Sequence, residues 1–162
     1  MALFNFVSVW KIGAPLEPVW DLLYRLEEWA AWWKGVEKVE ILQPGDDKRL
    51  CLQTRQTWKS SLPYELHFET CVTRVEPMEL IEVWSVGELD GKGSMKFARD
   101  GENSIFQVEW NVRTTAAWMT LLSPILAPAF SWNHRTIMDW GAESLAKKIG
   151  AKGISTSTKA VL

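Results

Sequence analysis

The chain has 162 residues with a formal net charge of −2, of which 23% are charged and 47% hydrophobic. That length suits one domain able to remove roughly two thirds of its unfolded surface from water, and that charge balance sets up no field for nucleic acid, which is not expected as a partner. Eleven Trp outnumber six Phe and two Tyr together, and each indole brings roughly 150–250 Å² of surface and one N–H donor to a core, a pocket or an exposed partner face.

The opening MALFNFVSVWKIGAP has no basic start before its apolar stretch, so no signal peptide is expected and the cytoplasm is the default location. Phe4, Phe6, Trp10 and Ile12 share one parity, interrupted by Ser8, and predict a strand with one buried face. Ala14-Pro15 then opens a short helix whose apolar side is Val19, Trp20, Leu22, Leu23 and Leu26, with Glu17 placed to suit its dipole. A second short helix carries Trp29, Trp32 and Trp33 and ends at Lys34-Gly35.

Strands are predicted over 36–43, 49–58, 64–76, 79–87, 93–99 and 103–115, with turns at Pro44-Gly45-Asp46-Asp47, Ser60 to Pro63, Glu76-Pro77, Asp90-Gly91 and Asp100-Gly101. The last strand alternates most clearly, with Phe106, Val108, Trp110 and Val112 on one face and Gln107, Glu109, Asn111 and Arg113 on the other. The uncharged stretch from Thr114 to Asn133 is long enough to span a bilayer. It is diluted by Thr and Ser and interrupted by Pro124 and Pro128, so it predicts a shoulder beside the core and no stable membrane insertion.

A long helix is expected from about Ala129 to Ile149, with Phe130, His134, Ile137, Met138, Gly141, Leu145 and Ile149 on one stripe. Lys147 and Lys148 fit its last turn and Gly150 ends it, leaving residues 151–162 as a frayed tail after a single domain over 1–150. The fold class is therefore α+β: one strand, two short helices, six further strands and a long C-terminal helix, with a curved antiparallel sheet of about seven strands wrapped around it. A strongly curved sheet cannot pack closely on one helix along its whole length, so a gap beneath the helix is a natural ligand cavity.

Two cysteines make neither a disulfide framework nor a metal cluster, and thiols are expected. A turn about Ser61 would face residues whose numbers sum to 122, pairing Cys51 with Cys71, Trp58 with Tyr64 and Thr54 with Phe68, which keeps a cross-strand bridge geometrically conceivable. Phosphate-loop, metal-spacing and nucleophile-elbow motifs are missing, so no metal and no cofactor is predicted.

The passages Ile12-Gly-Ala-Pro-Leu-Glu-Pro-Val-Trp20-Asp21 and Trp29 to Leu42 resemble the START-like superfamily, which includes the birch-pollen allergen and bacterial polyketide cyclases and dehydrases. Trp132-Asn-His-Arg-Thr-Ile-Met138, with Leu62-Pro-Tyr64 and Gly87-Glu-Leu-Asp-Gly91, is similar to a bacterial branch of it. The resemblance covers nearly the whole chain. It implies a helix-grip fold with a cavity between sheet and long helix that binds lipids, sterols, polyketides or other hydrophobic molecules, and it implies no single reaction.

Parity aims Leu52, Thr54, Gln56 and Trp58 inward from one strand and Tyr64, Leu66, Phe68, Thr70 and Val72 from its neighbour, joined by Phe106, Val108 and Trp110. The strand around Trp84 is apolar on both parities, and Trp84 is included. With Phe130, His134, Ile137 and Met138 from the long helix, the candidate ligand-binding set is Thr54, Gln56, Trp58, Tyr64, Phe68, Trp84, Trp110, Phe130, His134, Ile137 and Met138. His134 is either a ligand contact, a proton-transfer group or a satisfied core histidine, and Tyr64 is the second candidate for proton transfer. His67 is expected to point outward with Glu65 and Glu69, opposite Arg55.

Three functions follow from this reading. The first is a binding or carrier protein for a hydrophobic, ring-containing molecule or lipid. The second is a cyclase or dehydratase in which His134 or Tyr64 moves a proton. The third is a protein-interaction module presenting Trp29, Trp32 or Trp33. The oligomeric state is left open.

Overall fold

The computed structural model describes residues 3–160. β1 (Leu3–Ile12) leads through Pro15 into α1 (Leu16–Tyr24), a 3-10 turn (Leu26–Glu28) and the one-turn α2 (Trp29–Trp32). Next come β2 (Val36–Gln43), β3 (Gln53–Lys59), β4 (Glu65–Glu76), β5 (Leu80–Gly87), β6 (Leu89–Asp100) and β7 (Asn103–Thr114), then α3 (Ala117–Ile149) and β8 (Ile154–Ala160). The eight strands form one antiparallel sheet in the order β2-β3-β4-β5-β6-β7-β1-β8. This is the expected helix-grip arrangement with one strand more than the sequence suggests.

That extra strand lies in the segment expected to be a frayed tail. Small, polar residues hid an alternating strand that pairs with β1 from Phe6↔Ala160 to Ile12↔Ile154. Two contacts with side chains fix it: Ser8 Oγ and Thr158 Oγ1 lie 2.8 Å apart, and Thr156 Oγ1 donates to Asp139 Oδ1 of α3 at 2.5 Å. At its entry Gly13 N–H donates to Gly153 O at 2.7 Å, an approach so close that a Cβ on Gly13 would meet Gly153 N at 2.8 Å.

α3 also begins earlier than expected. Ala117 to Pro128, read as a shoulder, is the first third of one 33-residue helix that carries Pro124 and Pro128 inside it. Each proline removes one N–H donor from the helix ladder. Of this first third only Met119 is buried, whereas Phe130, Asn133, Ile137, Met138, Gly141, Ala142 and Leu145 are buried further along. The helix closes as predicted, with Gly150 left-handed at φ 67° and its N–H bonded to Ala146 O.

Three sheet details depart from the sequence reading. β3 starts at Gln53 rather than 49, because Asp46 Oδ1 captures the N–H groups of Lys48 and Leu50 at 2.9 Å each and Arg49 and Cys51 both have φ 65°. The β5–β6 turn lies at Gly87-Glu88 rather than Asp90-Gly91, which extends β6 back to Leu89. The β3–β4 register sums to 124, with Gln53↔Cys71, Thr54↔Thr70, Gln56↔Phe68 and Trp58↔Leu66. A two-residue slip leaves every side chain on its expected face. It also takes Cys51 out of the pair with Cys71, and both cysteines are free thiols.

The core is aromatic at its centre. Trp33 packs against Trp10, Trp29, Trp32 and Trp58 at ring-centroid distances of 5.4, 5.1, 5.5 and 5.2 Å. Its Nε1–H donates to Ile137 O of α3 at 3.0 Å. The ring sits over Gly141, where a Cβ would lie 2.3 Å from Trp33 Cε2. One indole thus joins the short helices, the sheet and α3.

Candidate functional site

Beneath α3 the curved sheet leaves a cavity of about 130 Å³. Trp58, Phe68 and Trp110 line it from the sheet, Trp29 and Trp33 from the α2 region, Phe4 and Phe6 from β1, and Phe130, Asn133, His134, Ile137 and Met138 from α3. Among the described residues no Lys, Arg, Asp or Glu lines it. Burying an unpaired charge is costly, so such walls suit an uncharged apolar occupant.

The sheet contributes a polar network that is already satisfied. Gln56 Nε2 donates to Thr54 Oγ1 at 3.0 Å and to Thr70 Oγ1 at 3.2 Å, the two threonine hydroxyls are 2.9 Å apart, and Trp58 Nε1 donates to Gln56 Oε1 at 2.8 Å. Thr54 and Thr70 face each other in the ladder, so the strand register itself builds the network. Gln56 and Thr70 reach the cavity, while Thr54 stands behind them, fully buried.

The polar atoms on α3 are different. Asn133 Oδ1 and His134 Nε2 are buried with no hydrogen-bond partner among the described residues. His134 stacks on Phe6 at 4.3 Å between ring centroids, with the rings 15° from parallel. Burial among apolar walls pulls its pKa down to about 4, so its imidazole is neutral at pH 7. Tyr64 is half-buried against Trp118 and Phe130, at 5.0 and 6.3 Å, and burial pushes its hydroxyl up to about 12.

Nine of the eleven candidate residues come together at this cavity: Gln56, Trp58, Tyr64, Phe68, Trp110, Phe130, His134, Ile137 and Met138. Thr54 does not line it. Trp84 is a correction: the buried parity of β5 is Ile81, Val83 and Ser85, which turns Trp84 outward at 49% exposure. Val83 takes the inward place. His67 points outward as expected, near Glu65 and beside the Arg55–Glu69 ion pair. Trp29 and Trp33, offered with Trp32 as an exposed partner face, are only 6% and 3% exposed, and Trp32 is half-buried against the core.

Sequence reasoning missed Asn133 as a wall residue. The signal was there, since Asn133 lies three residues after Phe130 and four before Ile137, a helical spacing that shares their face. Phe4 and Phe6 were expected on the buried face of β1 and Trp29 and Trp33 on the second short helix, and a pattern of apolar residues does not separate core from cavity wall. The position of Trp110 depends on a glycine across the ladder. Gly93 pairs with it, and a Cβ there would lie 2.1 Å from the Trp110 ring.

Comparison with known proteins agrees with this architecture. A START superfamily protein from Mycobacterium smegmatis superposes with a TM-score of 0.71 at 16% identity, over 90% of this chain and 97% of that one. A protein from Thermus thermophilus gives 0.71 at 18% identity, over 89% and 98%. The Zhui aromatase/cyclase from a Streptomyces species gives 0.64 at 12% identity, over 91% and 96%. No curated protein matches the chain. Residues 4–150 match the family described as polyketide cyclase / dehydrase and lipid transport, and with its helix-grip fold the chain belongs to that family.

Proposed function

We propose that this protein binds a hydrophobic, ring-containing small molecule or lipid between its curved sheet and α3 and acts as a carrier. The observation that carries this reading is the cavity wall, which is aromatic from the sheet, the short helices and α3 at once and free of charged side chains among the described residues. Flat indole and phenyl surfaces supply contact area to a flat ligand at little cost in side-chain entropy. Native mass spectrometry of freshly purified protein, followed by denaturation, tests it. Release of a stoichiometric hydrophobic compound supports the reading. A bare chain that also fails to bind naphthalene overturns it.

The cyclase or dehydratase reading has support from the position of His134, whose imidazole lines the cavity. A proton-transfer group works best with a pKa near the operating pH. His134 at about 4 and Tyr64 at about 12 lie on opposite sides of neutrality, which favours the carrier. Turnover of a polyketide-like substrate that is lost in His134→Phe while affinity is kept would reverse that preference.

A further inference from the structure

We propose that Asn133 and His134 form a polar pole on α3 that selects an uncharged ligand carrying a hydroxyl group, with Asn133 as the specificity-determining residue. The inference rests on the binding reading above and adds the chemistry of the ligand's polar end. Buried polar groups in folded proteins are nearly always hydrogen-bonded, and an orphan calls for an explanation. Here Asn133 Oδ1 and His134 Nε2 are both buried without a partner among the described residues, on consecutive residues of one helix, at one cavity. The other two buried side-chain atoms without a partner among the described residues, Trp10 Nε1 and Trp32 Nε1, belong to residues that do not line the cavity, and Gln56 on the opposite wall is bonded through both Nε2 and Oε1, so the unmet demand at the cavity lies on α3.

A hydroxyl is the smallest group that both donates and accepts. It satisfies Asn133 by donating its one proton to Oδ1, and its oxygen accepts from His134 when the neutral imidazole carries its proton on Nε2. A carboxylate or phosphate only accepts and brings a charge. No Lys or Arg lines the cavity among the described residues to neutralise it. The stacking of Phe6 on His134 aligns the imidazole with the apolar walls, which places the pole beside a surface suited to a ring. A phenolic or alicyclic alcohol meets both requirements together.

The test compares naphthalene, 2-naphthol and 2-naphthoate at pH 8 on the wild-type protein and on Asn133→Leu, by calorimetric titration. The proposal expects wild type to bind 2-naphthol at least about 10-fold more tightly than naphthalene or 2-naphthoate, in line with one well-made buried hydrogen bond. Asn133→Leu then removes most of the preference for naphthol over naphthalene and keeps naphthalene affinity. Because the variant also removes an unsatisfied buried group, its Tm without ligand should rise by about 2–4 °C. A residue that merely supported the helix would lower Tm instead. Equal affinity for naphthalene and 2-naphthol in wild type overturns the proposal, with water satisfying the pair, and leaves the binding reading standing. Tighter binding of 2-naphthoate also overturns it. If none of the three binds, both readings fall. Should Asn133→Leu not fold, the three wild-type affinities and the milder Asn133→Ser decide the matter.

Discussion

Asn133 and His134 are a pair whose buried polar atoms work against stability. Burying His134 holds its pKa at about 4 against an ordinary value near 6.5. The unfolded chain therefore binds a proton below pH 6.5 that the native chain refuses until about pH 4. Stability is unaffected above pH 6.5 and is lost as pH falls through that window, by up to about 3 kcal/mol. His134→Phe, which keeps a ring against Phe6, should flatten this part of the pH–stability curve in urea titrations between pH 7 and 4. An unchanged slope would mean that the imidazole reaches water.

Gly141 tests the opposite kind of residue, one whose value is its missing side chain. An alanine in mid-helix gains about 1 kcal/mol over glycine in intrinsic propensity. Its Cβ would lie 2.3–2.6 Å from three atoms of the Trp33 ring, and that ring is held by its bond to Ile137 O. Overpacking of this kind typically costs about 1–3 kcal/mol and here wins over propensity. Gly141→Ala should lower the urea midpoint at constant slope and disturb the cavity wall, and a rise in the midpoint would contradict the packing.

At the scale of elements, α3 divides into two parts by burial and by backbone donors. Its first third has lost two amide donors to Pro124 and Pro128 and shows Leu121 and Ile125 to solvent at 79% and 77% exposure. Its last turns bury Met138, Gly141, Ala142 and Leu145. Local opening follows burial and hydrogen bonding. Amides over 117–128 should exchange with solvent at least about 100-fold faster than those over 137–149 in hydrogen-exchange mass spectrometry. Uniform protection would show that the prolines do not weaken the helix.

β8 is the second element with a measurable role. It covers the edge of β1, whose residues Phe6, Trp10 and Ile12 are core, and ties the chain back to α3 through Thr156 and Asp139. Ending the chain after Lys152 removes these bonds and bares the β1 edge. The truncated protein should lose several degrees in Tm and become prone to self-association. Unchanged Tm would mark β8 as an accessory strand.

For the whole molecule, the eleven tryptophans divide by place rather than by chemistry. Trp84, Trp118 and Trp132 are exposed at 49%, 40% and 48%, while Trp29, Trp33, Trp58 and Trp110 line the cavity. Acrylamide should quench the first group and spare the second. A cavity ligand such as 2-naphthol should then alter the emission of the acrylamide-resistant fraction and raise Tm, by the equivalent of about 2.7 kcal/mol at a hundred times its Kd. Ligand effects confined to the quenchable fraction would move the binding site to the surface.

Much of this was legible in the chain itself. Alternation placed the inward faces of β3, β4 and β7, because a period of two survives even a register error of two residues, as the shift from Cys51 to Gln53 opposite Cys71 shows. Helical spacing placed Phe130, His134, Ile137 and Met138 on one face, and Gly150 ended the helix where a left-handed residue was needed. These are local properties, dictated by backbone geometry and by the separation of apolar from polar residues along a few turns or pleats.

What the sequence could not decide were outcomes of competition between distant segments. Residues 154–160 have little apolar content of their own and became a strand because β1 offered an unpaired edge. Trp84 went outward because Val83 and Ile81 took the core, a choice that local apolarity on both parities leaves open. Asn133 Oδ1 and His134 Nε2 were left buried at a cavity without partners among the described residues only because the sheet curved away from α3. Periodicity tells a residue which way to face, and only the packed whole determines what it faces.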